Sequence, residues 1–404
     1  MEFREFKLKS IHVQNFKSLK DTTIELSDFN VLVGVNGSGK SNIVEVFRFL
    51  KHINQQGVIN PFGKYGGYKN LVWKGNEELP VVFELKFENK KKETLSYELA
   101  ISGFGGVFKL EKESIVLKDF NAINEGKNIS VEYSGRKIES DKLKGIKKES
   151  LENKILLLSG ILTPMIISLG DLKKKEIDNV MTAIFTIWGS SILNSVHNFI
   201  PANMKSPAKF ESSEGFSLGL MEGFNAMDYD GGNLQMFLYK LFSENNSNWP
   251  KEITNRLKIL FPNIERMSPV PTSEGKVMLE VVESGTKFIP QSLSDGFFKI
   301  MAVLALSFGK TSGSLLVIDE IENSLHPEAI EILIDALKSS GKQVIITTHS
   351  PIVLNMCKVE DILFVKKEVD ETKVSRAKDA EKLKKDLEKA GISTGEGWLY
   401  NVLE

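Results

Sequence analysis

Residues 31–45 read VLVGVNGSGKSNIVE, a short apolar run followed by a glycine-rich turn and then by helical spacing. The pattern G-x-x-x-x-G-K-[ST] is matched at Gly34, Gly39, Lys40 and Ser41. Glycines allow consecutive backbone N–H groups to curl around phosphate oxygens, and the start of a helix adds a partial positive charge. The stretch therefore predicts a strand, a phosphate-binding loop and a helix that together hold a nucleoside triphosphate.

The side chains of this loop have separate predicted roles. Lys40 would bridge the β- and γ-phosphates of ATP, and the Ser41 hydroxyl would bind Mg²⁺. The remaining predicted nucleotide contacts are Gly34, Asn36, Gly37, Ser38, Gly39 and Asn42.

Length and composition restrict the class of protein. The chain has 404 residues, of which 26% are charged and 41% hydrophobic, and a formal net charge of −1. These values are ordinary for a globular protein of two or three domains and give no global basic field for nucleic acid. The single cysteine excludes an intramolecular disulfide and a multi-cysteine zinc site, so a reducing, cytoplasmic location is expected. No signal peptide is recognised, and the longest apolar run, at 155–170, is predicted to be buried core rather than a membrane span.

The hydrophobic pattern changes twice along the chain. Alternating runs within residues 1–145 predict an ATPase lobe that contains the phosphate loop and an antiparallel β-meander. Residues 146–265 show mostly helical spacing and are predicted to form an insertion. Residues 266–404 alternate apolar strands with helices, which is typical of a parallel sheet and predicts the second ATPase lobe. The fold class is thus α/β, with a mixed and parallel sheet, and the segment 372–390 is predicted to be a charged amphipathic helix.

Two apolar strands end in polar residues. SLLVIDE, residues 314–320, ends in Asp319, which is placed to hold Mg²⁺, and Glu320, which is placed to orient and deprotonate the attacking water. QVIITTHSP, residues 343–351, brings His349 to the sheet edge where open α/β folds bind ligands. Such strand ends also occur without a function, but here they follow a phosphate loop. We therefore predict that Glu320 and Lys40 are catalytic and that His349 contacts the γ-phosphate.

The stretch SLSDGFFK, residues 292–299, opens an apolar helix. The Ser294 hydroxyl, the free N–H groups and the helix dipole make a second anion-binding end. A plain N-cap would have the same geometry. A nucleotide contact by Ser294, Asp295 and Gly296 and a purely structural cap are therefore both open.

Taken in order, GVNGSGKS, LSDG, LLVIDE and TTHSP resemble the Walker A, signature, Walker B and switch-histidine motifs of ABC-type ATPase heads. The set is closer to the RecF, SMC and OLD (overcoming lysogenization defect) ATPases than to transporters. HVQNFKSLKD resembles the first strand and turn of these heads, and GEGWLYNVLE resembles the tail of AAA-type OLD-like ATPases of prokaryotic defence operons. The resemblance implies a homodimer in which each ATP, with Mg²⁺, lies between residues 34–41 of one copy and 294–296 of the other.

The resemblance also implies roles for residues outside the four motifs. Asn15, Phe16 and Lys17 are expected to approach the base and ribose of the nucleotide. ENSLHP, residues 322–327, corresponds to the D-loop, which crosses the dimer seam. Ile321 stands where this group commonly has proline.

Features that the sequence lacks narrow the range of expected functions. There is no long coiled coil and no Cys-x-x-Cys hook, and the 55 residues after His349 are too few for a Toprim nuclease. We therefore expect an ATP-gated dimeric switch that controls DNA or an effector, such as a companion nuclease, in phage defence or genome maintenance. The alternatives are a RecF-like DNA-repair ATPase without an effector and, less well supported, a transporter nucleotide-binding subunit. Lysine clusters at 142–148 and 173–175 could contact DNA or be solvated surface.

Overall fold

The structure, a computed structural model, describes residues 6–56, 65–104, 107–118, 120–125, 128–133, 136–138, 196–209, 227–309 and 314–400, with positions 178, 186–187 and 402. The predictions for the apolar run at 155–170 and for the lysine clusters at 142–148 and 173–175 lie outside the described residues.

The strands, numbered in chain order, are β1 (Phe6–Phe16), β2 (Leu19–Glu25), β3 (Phe29–Val33), β4 (Val81–Asn89), β5 (Thr94–Phe104), β6 (Val107–Leu117), β7 (Phe120–Glu125), β8 (Asn128–Tyr133), β9 (Arg136–Ile138), β10 (Val196–His197), β11 (Ala208–Lys209), β12 (Ile264–Pro271), β13 (Lys276–Glu283), β14 (Thr286–Phe288), β15 (Leu315–Ile318), β16 (Gln343–Thr348), β17 (Ile362–Glu368) and β18 (Glu371–Ser375). The helices are α1 (Lys40–Gln56), α2 (Pro201–Met204), α3 (Leu234–Glu244), α4 (Lys251–Leu260), α5 (Asp295–Phe308), α6 (Pro327–Ser339), α7 (Pro351–Asn355), α8 (Ala380–Ala390) and α9 (Thr394–Leu399). Within the described residues, none of these helices is long and apolar enough to cross a membrane.

The chain divides into two compact units. The first consists of Met1–Asp28, Gly34–Leu193 and Leu363–Arg376, and the second of Phe29–Val33, Asn194–Ile362 and Ala377–Glu404. The phosphate loop belongs to the first unit, whereas Asp319 and His349 belong to the second. The predicted division at residues 145 and 265 stays a prediction.

An antiparallel sheet dominates the first unit. Its order is β2-β1-β4-β5-β6-β7-β8-β9, and each neighbouring pair is antiparallel. Buried residues alternate along the strands, as with Val81, Phe83, Leu85 and Phe87 in β4. This alternation arises because successive side chains of a strand point to opposite faces. The predicted β-meander is confirmed.

Aromatic rings join α1 to this sheet. The Phe16 ring of β1 lies 5.5 Å from that of Phe49 in α1 and 5.3 Å from that of Phe83 in β4. Tilted and edge-on pairs of this kind add about 1 kcal/mol each to the burial of their surface. All three rings are almost completely buried, so they form the core beneath the phosphate loop's helix.

A parallel sheet with the order β10-β15-β16-β3 lies in the second unit. β15 and β16 are buried at every position, as expected for strands covered on both faces. Their carboxyl ends meet at one edge, which is the edge that carries Asp319 and His349. A smaller antiparallel sheet pairs β13 with β11, β12 and β14. The predicted α/β class with mixed and parallel sheets is confirmed.

The segment 372–390 differs from its prediction. Its first residues belong to β18, which pairs antiparallel with β17 from Phe364 opposite Ser375 onward. The helix begins only at Ala380, where the Asp379 side chain accepts a hydrogen bond from the N–H of Lys382. Charges at helical spacing extended the predicted helix too far, because the sequence alone does not reveal pairing with β17.

Candidate functional site

The phosphate loop follows β3 and leads into α1. Gly37 and Gly39 have φ angles of 79° and 111°, which L side chains rarely adopt. A Cβ on Gly39 would collide with the Thr372 hydroxyl, and one on Gly34 would collide with the Val365 carbonyl. Since α1 begins at Lys40, at the end of the loop, the partial positive charge of its helix start favours an anion there.

The side chains of the loop suit a polyphosphate. Lys40 is buried, and its ammonium donates to the carbonyls of Gly34 at 2.6 Å and Val35 at 3.2 Å. Ser38 is 1% exposed, and its hydroxyl oxygen has no hydrogen-bond partner among the described residues. Ser41 is exposed. A buried hydroxyl and a lysine fit phosphate oxygens, and the exposed hydroxyl of Ser41 fits Mg²⁺.

Three side chains from separate segments hold the loop. Asn42 Nδ2 donates to Ser18 Oγ at 2.6 Å, and Ser18 Oγ lies 2.7 Å from Thr372 Oγ1. Thr372 Oγ1 in turn donates to the Ser38 carbonyl at 3.1 Å. Asn42, predicted as a nucleotide contact, thus ties α1 to the turn after β1. Sequence reasoning missed Thr372 because it lies 334 residues from Ser38.

The residues expected near the base and ribose differ in exposure. The Phe16 side chain is fully buried in the aromatic core, and the approach of residues 15–17 to the base and ribose stays a prediction. Asn15 Nδ2 donates to the Pro80 carbonyl at 2.9 Å. The ammonium of Lys17 lies 5.6 Å from the centre of the Tyr65 ring. Burial lowers the pKa of Lys17, and the nearby Glu45 partly opposes this effect.

The predicted acids follow β15 in the second unit. Asp319 is 6% exposed and accepts hydrogen bonds from Thr347 Oγ1 and, at 3.3 Å, from Asn198 Nδ2. The backbone N–H of Glu320 donates to the same Thr347 hydroxyl at 2.8 Å. Glu320 has a φ of 51°, a left-handed conformation that costs about 1 kcal/mol or more for a residue with a side chain. One threonine therefore fixes both acids.

Lys299 joins α5 to the turn after β15. Its ammonium donates to the carbonyls of Glu320 at 2.8 Å and Asn323 at 2.9 Å. The side chain is 3% exposed. Burial lowers its pKa to about 8, although Glu322, Glu320 and Asp319 oppose this shift. The helix that opens with the signature stretch is thus bonded to the backbone of the residue proposed to activate water.

The start of α5 has the geometry of an N-cap. Ser294 Oγ accepts from the backbone N–H three residues on at 3.2 Å. A Cβ on Gly296 would lie 2.9 Å from the Ser324 carbonyl, so a side chain there would force α5 and the turn apart. Asp295 forms an ion pair with Lys205 at 2.7 Å. The N-cap is therefore present, and the nucleotide contacts of this stretch stay a prediction.

His349 follows β16 and is bonded to the same turn. Its backbone N–H donates to Glu322 Oε1 at 2.8 Å, and its Nδ1 lies 3.2 Å from that oxygen. Ile321, which stands where proline is common in the resembling group, donates its N–H to the Thr347 carbonyl at 3.3 Å. Proline has no N–H for this bond. The second unit therefore brings the signature helix, both acids and His349 to one turn.

In the part of the chain that the structure describes, no group of three or more His, Cys, Asp or Glu side chains could hold a metal ion.

The chain is similar to several known proteins. A family profile described as "AAA domain, putative AbiEii toxin, Type IV TA system" matches residues 29–355. The chain is 23% identical over 358 residues to an "ATP/GTP phosphatase" of Helicobacter pylori, a match that covers 85% of each chain. It is 24% identical over 393 residues to the "Old nuclease" of Escherichia phage P2, which covers 86% of this chain and 57% of the nuclease.

Solved Smc head domains have the same fold. One, bound to the C-winged helix domain of ScpA, gives a TM-score of 0.51 at 17% identity and covers 94% of this chain and 99% of that one. Another, with an extended coiled coil and derived from Pyrococcus furiosus, gives 0.51 at 15% identity and covers 96% and 100%. The predicted resemblance to OLD and SMC ATPase heads is confirmed. Because the family profile spans most of the chain, the protein belongs to this AAA-domain family and has the fold of an OLD- and SMC-like ABC-type ATPase.

Proposed function

We propose that the chain binds and hydrolyses ATP as a homodimer, and that the dimer opens and closes with the nucleotide state to control DNA or an effector protein. The observation that carries this proposal is the bonding of Lys299 to the carbonyls of Glu320 and Asn323. These two hydrogen bonds connect a helix whose start could bind a phosphate to the backbone of the acid that would activate water.

The phosphate loop supplies the binding half of the site. Lys40 would exchange the carbonyls of Gly34 and Val35 for oxygens of the β- and γ-phosphates. The partnerless Ser38 hydroxyl and the amides at Gly37 and Gly39 would donate to phosphate oxygens, with Gly34, Asn36 and Asn42 at the margins of the loop. The Ser41 hydroxyl and the Asp319 carboxylate are the proposed ligands of Mg²⁺, which would neutralise charge on the phosphates.

The second unit supplies the hydrolytic groups. The Glu320 carboxylate would accept the proton of the attacking water, after giving up the hydrogen bond that it now accepts from Asn323. The half-exposed His349 ring would contact the γ-phosphate. Thr347 keeps Asp319 and Glu320 in fixed positions, so little reorganisation is needed when the substrate binds.

The homodimer explains why the chain has a second anion-favouring helix start. In the proposed assembly, Ser294, Asp295 and Gly296 of one copy would meet the triphosphate held by Lys40 of the other. The Ser294 hydroxyl accepts a hydrogen bond from within its own helix, and it still has a proton to donate to a phosphate oxygen. Phosphate contact would then pull on α5 and, through Lys299, on the turn that carries Glu320.

The relatives suggest the setting of this switch. One is named a nuclease and one an ATP/GTP phosphatase, and the family description refers to a toxin–antitoxin system. A cytoplasmic defence or genome-maintenance ATPase with a companion nuclease or other effector fits these names. A RecF-like DNA-repair ATPase without an effector is the alternative, and a transporter subunit fits least.

The dimer proposal is tested with the Glu320→Gln variant. If Glu320 activates water, this variant should bind ATP with Mg²⁺ but hydrolyse the ATP at least about 100-fold more slowly than wild type. It should also accumulate as a dimer. Light scattering coupled to gel filtration, with and without ATP, measures the dimer. A Glu320→Gln protein that binds ATP and stays monomeric would contradict the proposal. Lys40→Ala is the control, because it should neither bind ATP nor dimerise with it.

The role of DNA is tested separately. ATP and GTP turnover should be measured with and without duplex and gapped DNA, at two salt concentrations. Stimulation by DNA alone would favour the repair ATPase. Turnover that changes only when a companion protein is added would favour the effector switch.

A further inference from the structure

Glu322 and His349 meet at a single carboxylate oxygen. Glu322 Oε1 accepts the backbone N–H of His349 at 2.8 Å and lies 3.2 Å from Nδ1 of its ring. The Glu322 side chain is 9% exposed, whereas the His349 side chain is 47% exposed. One carboxylate oxygen therefore accepts the backbone N–H of His349 and lies within ion-pair distance of the Nδ1 edge of its half-exposed ring.

The turn that carries Glu322 is itself fixed. On one side, Ile321 is fully buried and its N–H donates to the Thr347 carbonyl at 3.3 Å. On the other side, the carbonyl of Asn323 accepts from Lys299 at 2.9 Å. Because both neighbours are held, the carboxylate keeps its place and the ring must adapt to it.

The second carboxylate oxygen of Glu322 adds an independent observation. Oε2 is buried and has no hydrogen-bond partner among the described residues. Leaving a buried charged acceptor without a donor costs free energy, so packing alone does not favour an acid here. The carboxylate also favours the charge of the buried Lys299 ammonium, and its other oxygen, Oε1, is the one that meets His349.

We propose that Glu322 is the positioning residue that sets the orientation and the tautomer of His349. The proposal rests on the proposed function, in which His349 contacts the γ-phosphate. With the Nδ1 proton donated to Glu322, Nε2 is the nitrogen left to face the nucleotide. Glu322 does not need to touch the substrate, because its effect is transmitted through the ring. Without it, the ring can turn and its proton can move to Nε2.

The tautomer is measured first, in nucleotide-free protein. The chain has five histidines, so ¹⁵N-histidine labelling gives a small set of ring signals. The signal that is missing in the His349→Gln variant is that of the His349 ring. The wild-type ring should carry its proton on Nδ1. In Glu322→Ala the same signal should move to the Nε2–H pattern, and in Glu322→Gln, whose amide oxygen can still accept the Nδ1 proton, it should not. A wild-type His349 that is protonated on Nε2 alone overturns the proposal without any variant.

Kinetics then test the consequence. Glu322→Ala should lower kcat about tenfold or more, because the ring is misplaced, while the Kd for ATP changes less than about twofold. Glu322→Gln should recover most of the lost kcat. Glu331→Ala, at an exposed position on α6, is the matched control and should behave as wild type. Unchanged kcat in Glu322→Ala, or an equal loss in Glu322→Gln, would contradict a positioning role.

Failure of this inference can be distinguished from failure of the proposed function. A wild-type protein without ATP turnover would contradict the proposed function, but the tautomer would still be readable. If wild type hydrolyses ATP normally and the tautomer of His349 is the same with and without Glu322, only the inference is contradicted.

Discussion

Thr372 Oγ1 donates a hydrogen bond to the carbonyl oxygen of Ser38 at 3.1 Å, from a strand 334 residues further along the chain. The donor is fully buried, and its own backbone is tied to the turn after β1, because its N–H donates to the Ser18 carbonyl at 2.8 Å. The Ser38 carbonyl is therefore held toward the protein. Thr372 therefore fixes the backbone of the loop from outside it, and a fixed loop loses less freedom when it binds phosphate.

Replacing Thr372 by valine keeps the shape of the side chain and removes this donor. One neutral hydrogen bond is worth about 1 kcal/mol, so the Kd for ATP should rise about fivefold as the loop loses its support. Calorimetric titration with ATP and Mg²⁺ measures the effect. Thr23→Val, at an exposed position on β2, is the control and should leave the Kd unchanged. An ATP affinity equal to that of wild type would show that the loop does not depend on Thr372.

Two glycines of the loop should respond differently to alanine. Both have positive φ angles, but a Cβ on Gly37 would meet nothing within 4 Å, whereas one on Gly39 would collide with the Thr372 hydroxyl. Gly37→Ala should therefore lower the free energy of unfolding by only the conformational cost, about 1 kcal/mol. Gly39→Ala should lower it by about 3 kcal/mol or abolish folding. Urea unfolding of both variants compares them directly, and equal losses would contradict a clash between a Cβ at position 39 and Thr372.

Sequence patterns predicted the elements of this fold well where the signal is local. The apolar alternation of β4, the glycine loop and the all-apolar β15 and β16 each follow from a few consecutive residues. The segment 372–390 was predicted less well, because its first residues form a strand by pairing with β17. Local periodicity cannot report a partner strand.

The candidate site shows the same limit at the level of single residues. Lys40, Asp319 and Glu320 could be predicted as candidates because each lies in the loop or at the end of an apolar strand. Thr347 could have been noticed as a polar residue in an aliphatic strand, but nothing in the sequence says that its hydroxyl serves both acids. Thr372 carries no signal at all, since its partner lies on a segment far away in the chain.

The hydroxyl of Thr347 should matter to both stability and metal use. In Thr347→Val, the buried Asp319 loses a donor and the N–H of Glu320 loses an acceptor, so we expect a loss of about 2–3 kcal/mol in the free energy of unfolding. The Mg²⁺ concentration for half-maximal ATP turnover should also rise, because Asp319 then keeps the hydrogen bond from Asn198 but loses the one from Thr347. Thr347→Ser keeps the hydroxyl and should recover both properties. A valine variant with wild-type stability and wild-type Mg²⁺ dependence would contradict this role.

We expect Lys299 to make the free energy of unfolding depend on pH. Its pKa in the folded protein is about 8, chiefly because burial disfavours the charge, against an ordinary value of 10.5. Between these values the unfolded chain binds more protons than the folded one, so this residue makes the protein more stable as pH rises from about 8 to 10.5. The gap corresponds to about 3 kcal/mol, and below pH 8 the full cost of the buried ammonium is present.

The comparison with Lys299→Met isolates this effect from other titrating groups. Methionine keeps the apolar length and cannot titrate, so the free energy of unfolding of wild type relative to this variant should increase by up to about 3 kcal/mol between pH 8 and 10.5. Urea unfolding at several pH values measures the difference, and the exposed Lys258→Met gives the baseline for removing a surface charge. Because methionine also leaves the Glu320 and Asn323 carbonyls without their donor, the variant should have a lower kcat even where its stability approaches that of wild type. Parallel stability curves for wild type and Lys299→Met across this range would mean that the ammonium is solvated, and that the link from α5 to the turn after β15 is weaker than its two hydrogen bonds imply.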